Sequence, residues 1–337
     1  MNILFTCAGR RNYLINYFKD VLNGDGKIVA ADMQLSAPAL VDADIAIEVP
    51  SVYDADYIPK LLEICQKYQV KGLISLNDLE LPILGSNISR FESIGTKVII
   101  ASNCAIDICF DKWETVQFCK EHNINTPLTF KSEANARDAI QKGLLKFPLV
   151  IKPRWGSASI GIEFPDSFDE LELTYRLLKI KLDKTILAKA SNQDFENSIL
   201  IQEKIDGREF GLDILNDFNG STVAVYVKEK LAMRAGETDK AVLRNNPELE
   251  ELGYKIGNAL GHIGNLDCDL FERNGEFYLL EMNPRFGGGY PFTHMAGGNY
   301  PAAIIAWLKG ENYDINQFKR EYDQPYAKCD RMIKVMT

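Results

Sequence analysis

The chain's 337 residues are enough for two or three domains built around sizeable cores. Hydrophobic residues make up 46% and charged residues 25%, the balance of a soluble globular protein. A net charge of −9 argues against a long nucleic-acid footprint, and the longest apolar run, near Tyr300 to Leu308, is far too short to span a bilayer. The opening MNILFTCAGRR sets its arginines after its apolar stretch, the reverse of a secretory signal. Seven cysteines, an odd number with no CxxC pair, point to a reducing, cytoplasmic setting rather than to disulfides or zinc. The three histidines are scattered, which disfavours a histidine-based metal cluster or nucleophile.

Taken in chain order, NILFTC (2–7), KIVAAD (27–32), IAIEV (45–49), GLISL (72–76) and KVIIA (97–101) read as strands. Helices are predicted between them. RNYLINYFKDVL sets Leu14, Tyr17, Phe18 and Val21 at helical spacing, residues 55–68 do so with Ile58, Leu61, Leu62 and Cys65, and another helix falls near 79–92. Apolar strands alternating with helices imply a parallel sheet covered on both faces, so a doubly wound α/β domain is predicted to end near residue 110. The turn Cys7-Ala8-Gly9-Arg10 lacks the GxGxxG fingerprint and reads as a tight strand-to-helix turn. Asp32, at the end of the second strand, then has only a weak claim on a ribose.

From residue 111 the character changes. DKWETVQFCKEHNI is predicted as a helix capped by Asp111, and residues 132–143 as another. PLVIKP, SILIQEKI, REFGLDIL, TVAVYVKEKLAM, LDCDLFE and EFYLLEMN then read as strands, with Asn219-Gly220 and Asn274-Gly275 as hairpin turns. Helices fall near 167–180 and 248–260. The whole is an α+β region on antiparallel sheets.

Three stretches carry chemistry. In LLEMNPRFGGG (279–289), Glu281 and Asn283 share one strand face; across the Asn274-Gly275 hairpin, so do Asp267 and Asp269. Pairing these strands brings Asp269, Glu281 and Asn283 together as an oxygen-donor set suited to Mg²⁺. The bland alternative is a solvated strand face. In VIKPRWGSASIG (150–161), a strand delivers Lys152 to a small-residue loop of Gly156, Ser157, Ala158, Ser159 and Gly161, which can lay N–H groups over phosphate or be a surface hairpin. In LIQEKIDGREFGLDI (200–214), Glu203, Lys204 and Glu209 flank an Asp206-Gly207 turn. Acidic groups there can accept from adenine and ribose donors, although an ordinary charged turn is the more frequent outcome.

Together with the Lys112 helix before them, these stretches resemble the ATP-grasp superfamily, most closely its carbamoyl-phosphate synthase large-subunit and biotin carboxylase branch. The resemblance implies a pre-ATP-grasp domain (1–110), a small subdomain with a phosphate lid (111–195), a large antiparallel subdomain with the metal site (196–310) and a C-terminal tail (311–337). Lys112 and Lys152 would reach ATP phosphates. Gly156, Ser157, Ala158 and Ser159 would form the lid. Glu203, Lys204 and Ile205 would read adenine, and Glu209 the ribose. Asp269, Glu281 and Asn283 would hold Mg²⁺, with Mn²⁺ as a substitute, Asp269 standing where relatives carry Glu or Gln. Arg285 would steady the transferred phosphate or the substrate, and the three glycines after it would let backbone approach the acceptor.

The implied activity is an ADP-forming carboxylate–amine ligase working through an acyl phosphate on small-molecule substrates, with no membrane partner and room for a homodimer. A single ATP-grasp unit, with no glutamine-hydrolysing or biotin-carrier segment, favours a stand-alone ligase. A carbamoyl-phosphate synthase-like enzyme acting on bicarbonate or carbamate is the alternative, and a non-catalytic nucleotide-binding protein a third. Lys230, Arg234 and Glu237, in the charged stretch 227–242, are candidates for an acidic substrate or the phosphates, Lys230 and Arg234 in catalytic roles. His294 is a candidate for the acceptor pocket, though a lone histidine is more often structural.

Overall fold

The computed structural model describes residues 1–156, 161–185 and 187–336. Strands β1 (Asn2–Thr6), β2 (Ile28–Asp32), β3 (Ile45–Glu48), β4 (Val70–Ser75) and β5 (Lys97–Val98) form a parallel sheet in the order β3-β2-β1-β4-β5. Alternation explains its two cores. Ile3 and Phe5 of β1 pack on one face with Leu14 and Phe18 of helix Asn12–Leu22. Leu4 packs on the other with Leu61 and Ile64 of helix Tyr57–Lys67. The predicted doubly wound domain is therefore present, and chain order reverses at the β1/β4 boundary.

Two predicted elements differ. The helix near 79–92 is two short helices, Leu81–Gly85 and Ile88–Glu92, broken at Ser86-Asn87. The KVIIA strand keeps only Lys97–Val98, which pair with Gly72 and Leu73 of β4 at the sheet edge. Asp32 is spent on structure: its carboxylate accepts from the Gly9 N–H at 2.8 Å and the Gln34 N–H at 3.0 Å. That fixes the turn after β1, where Cys7 and Gly9 both have positive φ.

A small antiparallel sheet follows, β6 (Thr129–Phe130), β7 (Leu149–Pro153) and β8 (Ile199–Glu203), in the order β6-β8-β7. Helices Glu133–Gln141 and Phe168–Leu182 close its core through Ala136, Leu171 and Leu178. Because β8 pairs here, the small unit runs to Glu203 rather than to 195.

The large sheet comprises β9 (Arg208–Asn216), β10 (Thr222–Arg234), β11 (Glu237–Leu243), β12 (Gly264–Arg273), β13 (Glu276–Asn283) and β14 (Pro325–Ala327), in the order β13-β12-β9-β10-β11-β14. All neighbours are antiparallel. Asn274 and Gly275 both have positive φ, the backbone that a two-residue turn needs to follow strand twist. The stretch after residue 310 contributes β14 to the sheet edge and ties Arg331 to Asp42 of the first domain at 2.8 Å. Among the described residues, no helix is long and apolar enough to cross a membrane. The seven cysteines are all free thiols.

Candidate active site

A cleft of about 510 Å³ opens between the small and large sheets. β7 brings Lys152 into it, and β8 brings Glu203. Lys204 and Ile205 continue the lining after β8, and Glu209 of β9, Asp269 of β12 and Glu281 of β13 reach it from the large sheet. The predicted hinge and ribose residues and two of the predicted metal residues, Asp269 and Glu281, therefore share one space, and Asn283 borders a small space adjoining it. Ser157, Ala158 and Ser159 of the predicted lid lie outside the described residues; Gly156 lines the cleft.

Register builds the predicted donor set. Asp269 pairs with Glu281 and Asp267 with Asn283, and a bulge follows Asp269. Asn283 Nδ2 donates to Glu281 Oε1 at 3.4 Å. Among the described residues no group of three His, Cys, Asp or Glu side chains stands ready for a metal; the set here is two carboxylates and an amide. Its chemistry fits Mg²⁺, a hard cation that takes oxygen ligands and keeps positions for phosphate and water. Lysines already stand as cations beside it. Lys230 Nζ donates to Asp269 at 2.6 Å and to Glu209 at 2.7 Å, and Lys112 Nζ lies 3.9 Å from Glu281.

Electrostatics sharpen this end of the cleft. Burial, then the neighbouring Lys112, pushes Lys152 down to about 8, while Glu281 opposes the shift. Glu281 is drawn below its usual range by Lys112 and Lys152, against its burial. Lys230 is pushed up because Asp269 and Glu209 overcome its burial. Asp111 caps helix Lys112–Glu121 by accepting from the Trp113 N–H, and that sets Lys112 at the helix start, where its ammonium donates to the Gly156 carbonyl. At the hinge, Arg273 Nη1 donates to Glu203 at 2.6 Å, and Lys204 donates to Asp206.

Arg285 leaves β13 toward the first domain. Its Nη2 donates to Asp78 Oδ2 at 2.7 Å, and its Nη1 lies 3.8 Å from Asp267. The glycines after it are packed against side chains of this chain rather than open to an acceptor. A Cβ on Gly287 would sit 2.1 Å from the Asp267 carboxylate, and one on Gly288 would sit 3.0 Å from that of Glu237. Burial and the nearby Asp269 push Asp267 up to about 7.

Some predicted residues are not brought together. Arg234 is near the β10–β11 turn but is not among the cleft-lining residues; its guanidinium pairs with Asp330 at 2.7 Å and Asp239 at 3.0 Å. Glu237 is held by Arg11 at 2.7 Å and Lys328 at 3.2 Å. His294 stacks on Tyr17 with ring centroids 3.6 Å apart, a structural role. Sequence reasoning missed Asp78 and Arg273. For Asp78 a signal existed: a polar Asn77-Asp78 pair at the carboxyl end of a parallel strand, where such sheets bind ligands.

Two family models match the chain: the PylC-like N-terminal domain over residues 3–99, and ATP-grasp in the biosynthetic pathway with Ter operon over 195–329. The carbamoyl phosphate synthase large chain of Clostridium beijerinckii is 24% identical over 251 residues, covering 71% of this chain and 22% of that one. This chain thus spans under a quarter of that relative's length. Two solved structures share the fold. Biotin carboxylase from Campylobacter jejuni, a beta-gamma-ATP complex, superposes with a TM-score of 0.73 at 16% identity, over 95% of this chain and 73% of that one. L-amino acid ligase from Bacillus licheniformis gives 0.68 at 18%, over 96% and 78%. A parallel-sheet domain in front of two antiparallel sheets that enclose a lysine- and carboxylate-lined cleft is the fold of these solved structures, and residues 195–329 match an ATP-grasp model.

Proposed function

We propose that the chain is an ADP-forming ligase that uses Mg²⁺-ATP to join a carboxylate to an amine through an acyl phosphate. The carrying observation is the convergence of Lys112, Lys152, Glu281 and Asn283 on one end of the cleft, with Arg285 just beyond. Adenine would meet Glu203, Lys204 and Ile205, and the ribose Glu209. Lys112 and Lys152 would hold the phosphates, with Gly156 and the lid over them. Asp269, Glu281 and Asn283 would hold Mg²⁺, or Mn²⁺ in its place. When bound, the ion neutralises phosphate charge and polarises the group being transferred.

A substrate carboxylate oxygen attacks the γ-phosphorus, and the bond to the ADP oxygen breaks. Arg285 faces the charge that two meeting anions create. The amine then attacks the acyl carbon and phosphate leaves with the bonding pair, the surplus proton going to solvent. No side-chain nucleophile is needed. Lys230 positions Glu209 and Asp269 rather than touching substrate. Arg234 has no part in this reading.

The fold likeness to an L-amino acid ligase supports an amine as acceptor. The 24% identity to a carbamoyl phosphate synthase chain favours bicarbonate as a second reading. ADP release from Mg²⁺-ATP should be measured across carboxylates and bicarbonate, with hydroxylamine to trap any acyl phosphate. An organic acid that yields a hydroxamate supports the ligase. Turnover with bicarbonate alone supports the second reading, and bound ATP with no turnover across the panel would sink both.

A further inference from the structure

The nucleotide cleft continues past its metal end into a small space of about 10 Å³. Lys112, Gly156 and Glu281 border both spaces, so the smaller one begins where the γ-phosphate of a bound nucleotide would end. Its far wall is apolar, with Leu81, Ile106 and Phe110, and its polar members are Asp78, Lys112, Glu281 and Asn283.

Asp78 is held rigidly. The turn that carries it is anchored by Glu80, whose fully buried carboxylate accepts from Thr6 at 2.8 Å, Ser75 at 2.5 Å and Tyr57 at 2.6 Å. Asn77 closes the turn by accepting from the Leu79 N–H at 2.9 Å. Asp78 itself is 7% exposed. Oδ2 accepts from Arg285, whereas Oδ1 is buried with no hydrogen-bond partner among the described residues. A buried carboxylate oxygen without a donor is costly, and a small donor entering the adjoining space would relieve that cost. The missing partner is a donor, and it is small, since the space holds about one water-sized group.

We infer that Asp78 Oδ1 is the docking point for the head of a primary ammonium group, the nitrogen-donating substrate of the ligase. This rests on the function proposed above. A compact –NH₃⁺ or NH₄⁺ supplies several donors, matches the anionic oxygen and fits the volume, whereas a fully methylated nitrogen does not. Arg285, on the other oxygen, is the group proposed above to meet the charge of the substrate carboxylate, so one aspartate would set the distance between the two reactants. The donor is either ammonium itself or the end of an aliphatic amine, which share this head.

The test is thermal unfolding of the full chain in 100 mM ammonium, ethylammonium, potassium or tetramethylammonium chloride, with and without Mg²⁺-ATP. Ammonium should raise the midpoint by about 1–3 °C over tetramethylammonium and potassium. An equal rise with ethylammonium identifies an amine terminus, and its absence identifies ammonium. Asp78→Asn, which keeps an oxygen for Arg285, should abolish the difference. Equal midpoints in all four salts, or a potassium effect matching ammonium, would overturn the inference without recourse to the variant. A response to Mg²⁺-ATP with none to ammonium removes this site and keeps the ligase. A response to ammonium with none to Mg²⁺-ATP does the reverse.

Discussion

Lys230 sits 2.6 Å from Asp269 and holds it beside Glu209, which the same ammonium contacts at 2.7 Å. One buried cation therefore couples two carboxylates of the cleft, the ones proposed to meet ribose and metal. In Lys230→Met both carboxylates lose their partner and repel incoming phosphates. We expect Mg²⁺-ATP affinity, read by calorimetry, to fall about tenfold, a loss of about 1.4 kcal/mol. Unchanged affinity would mean the lysine only packs.

Glu281→Gln keeps the shape of the donor set and removes its charge. Turnover should fall by two orders of magnitude or more, while ATP binding falls by about tenfold or less, because the lysines and hinge remain. Wild-type ADP release in this variant would remove the metal assignment.

Acid sensitivity follows from His262. It is fully buried, its Nε2 lies 3.2 Å from the Ile214 carbonyl, and burial pushes it down to about 4. Its folded value lies below its ordinary value of 6.5. The unfolded chain therefore binds the extra proton between those limits, and stability is complete above about pH 6.5 and is lost as pH falls toward 4. His262→Phe should flatten denaturant-derived stability over that window by up to about 1.4 kcal/mol per pH unit. An unaltered slope would show that other groups govern acid loss.

Beneath the glycine run lies a buried ion pair, Lys228 with Asp213, exposed by 1% and 0%. Asn265 donates to Asp213 Oδ1 at 3.3 Å, Thr293 donates to Oδ2, and Tyr300 donates to its backbone carbonyl at 2.8 Å. Lys228→Met strands a carboxylate in the core and should cost about 3–5 kcal/mol in a urea titration. Adding Asp213→Leu should recover part of that loss. A double variant as unstable as the single would assign the cost to packing instead.

Much of this was legible in the sequence for identifiable reasons. Period-2 apolarity and the Asn274-Gly275 turn set the register that pairs Asp269 with Glu281. Apolar strands between helices gave away the parallel sheet. What escaped was long-range. Asp78 and Arg285 are separated by 207 positions, and no local pattern joins them. The same holds for Arg273 on Glu203, 70 positions apart. The partner of Arg234 was hidden as well, because a charged stretch carries no sign of which partner each charge will choose, and Asp330 comes from a strand-edge segment 96 positions away. The small unit's boundary at Glu203 depended on which sheet would claim β8, a tertiary choice between two antiparallel neighbours.

The contact between Asp78 and Arg285 also bears on recombination. A hybrid made by grafting a foreign amino-terminal half onto the remainder of this chain would retain every side chain assigned here to nucleotide and metal. It would still inherit an arginine whose counter-ion had been designed by another lineage. Such a hybrid should bind nucleotide yet turn over poorly, and restoring an Asn-Asp dipeptide after the fourth parallel strand is the repair to try. The first domain is thus heritable only together with the arginine that its Asp78 holds.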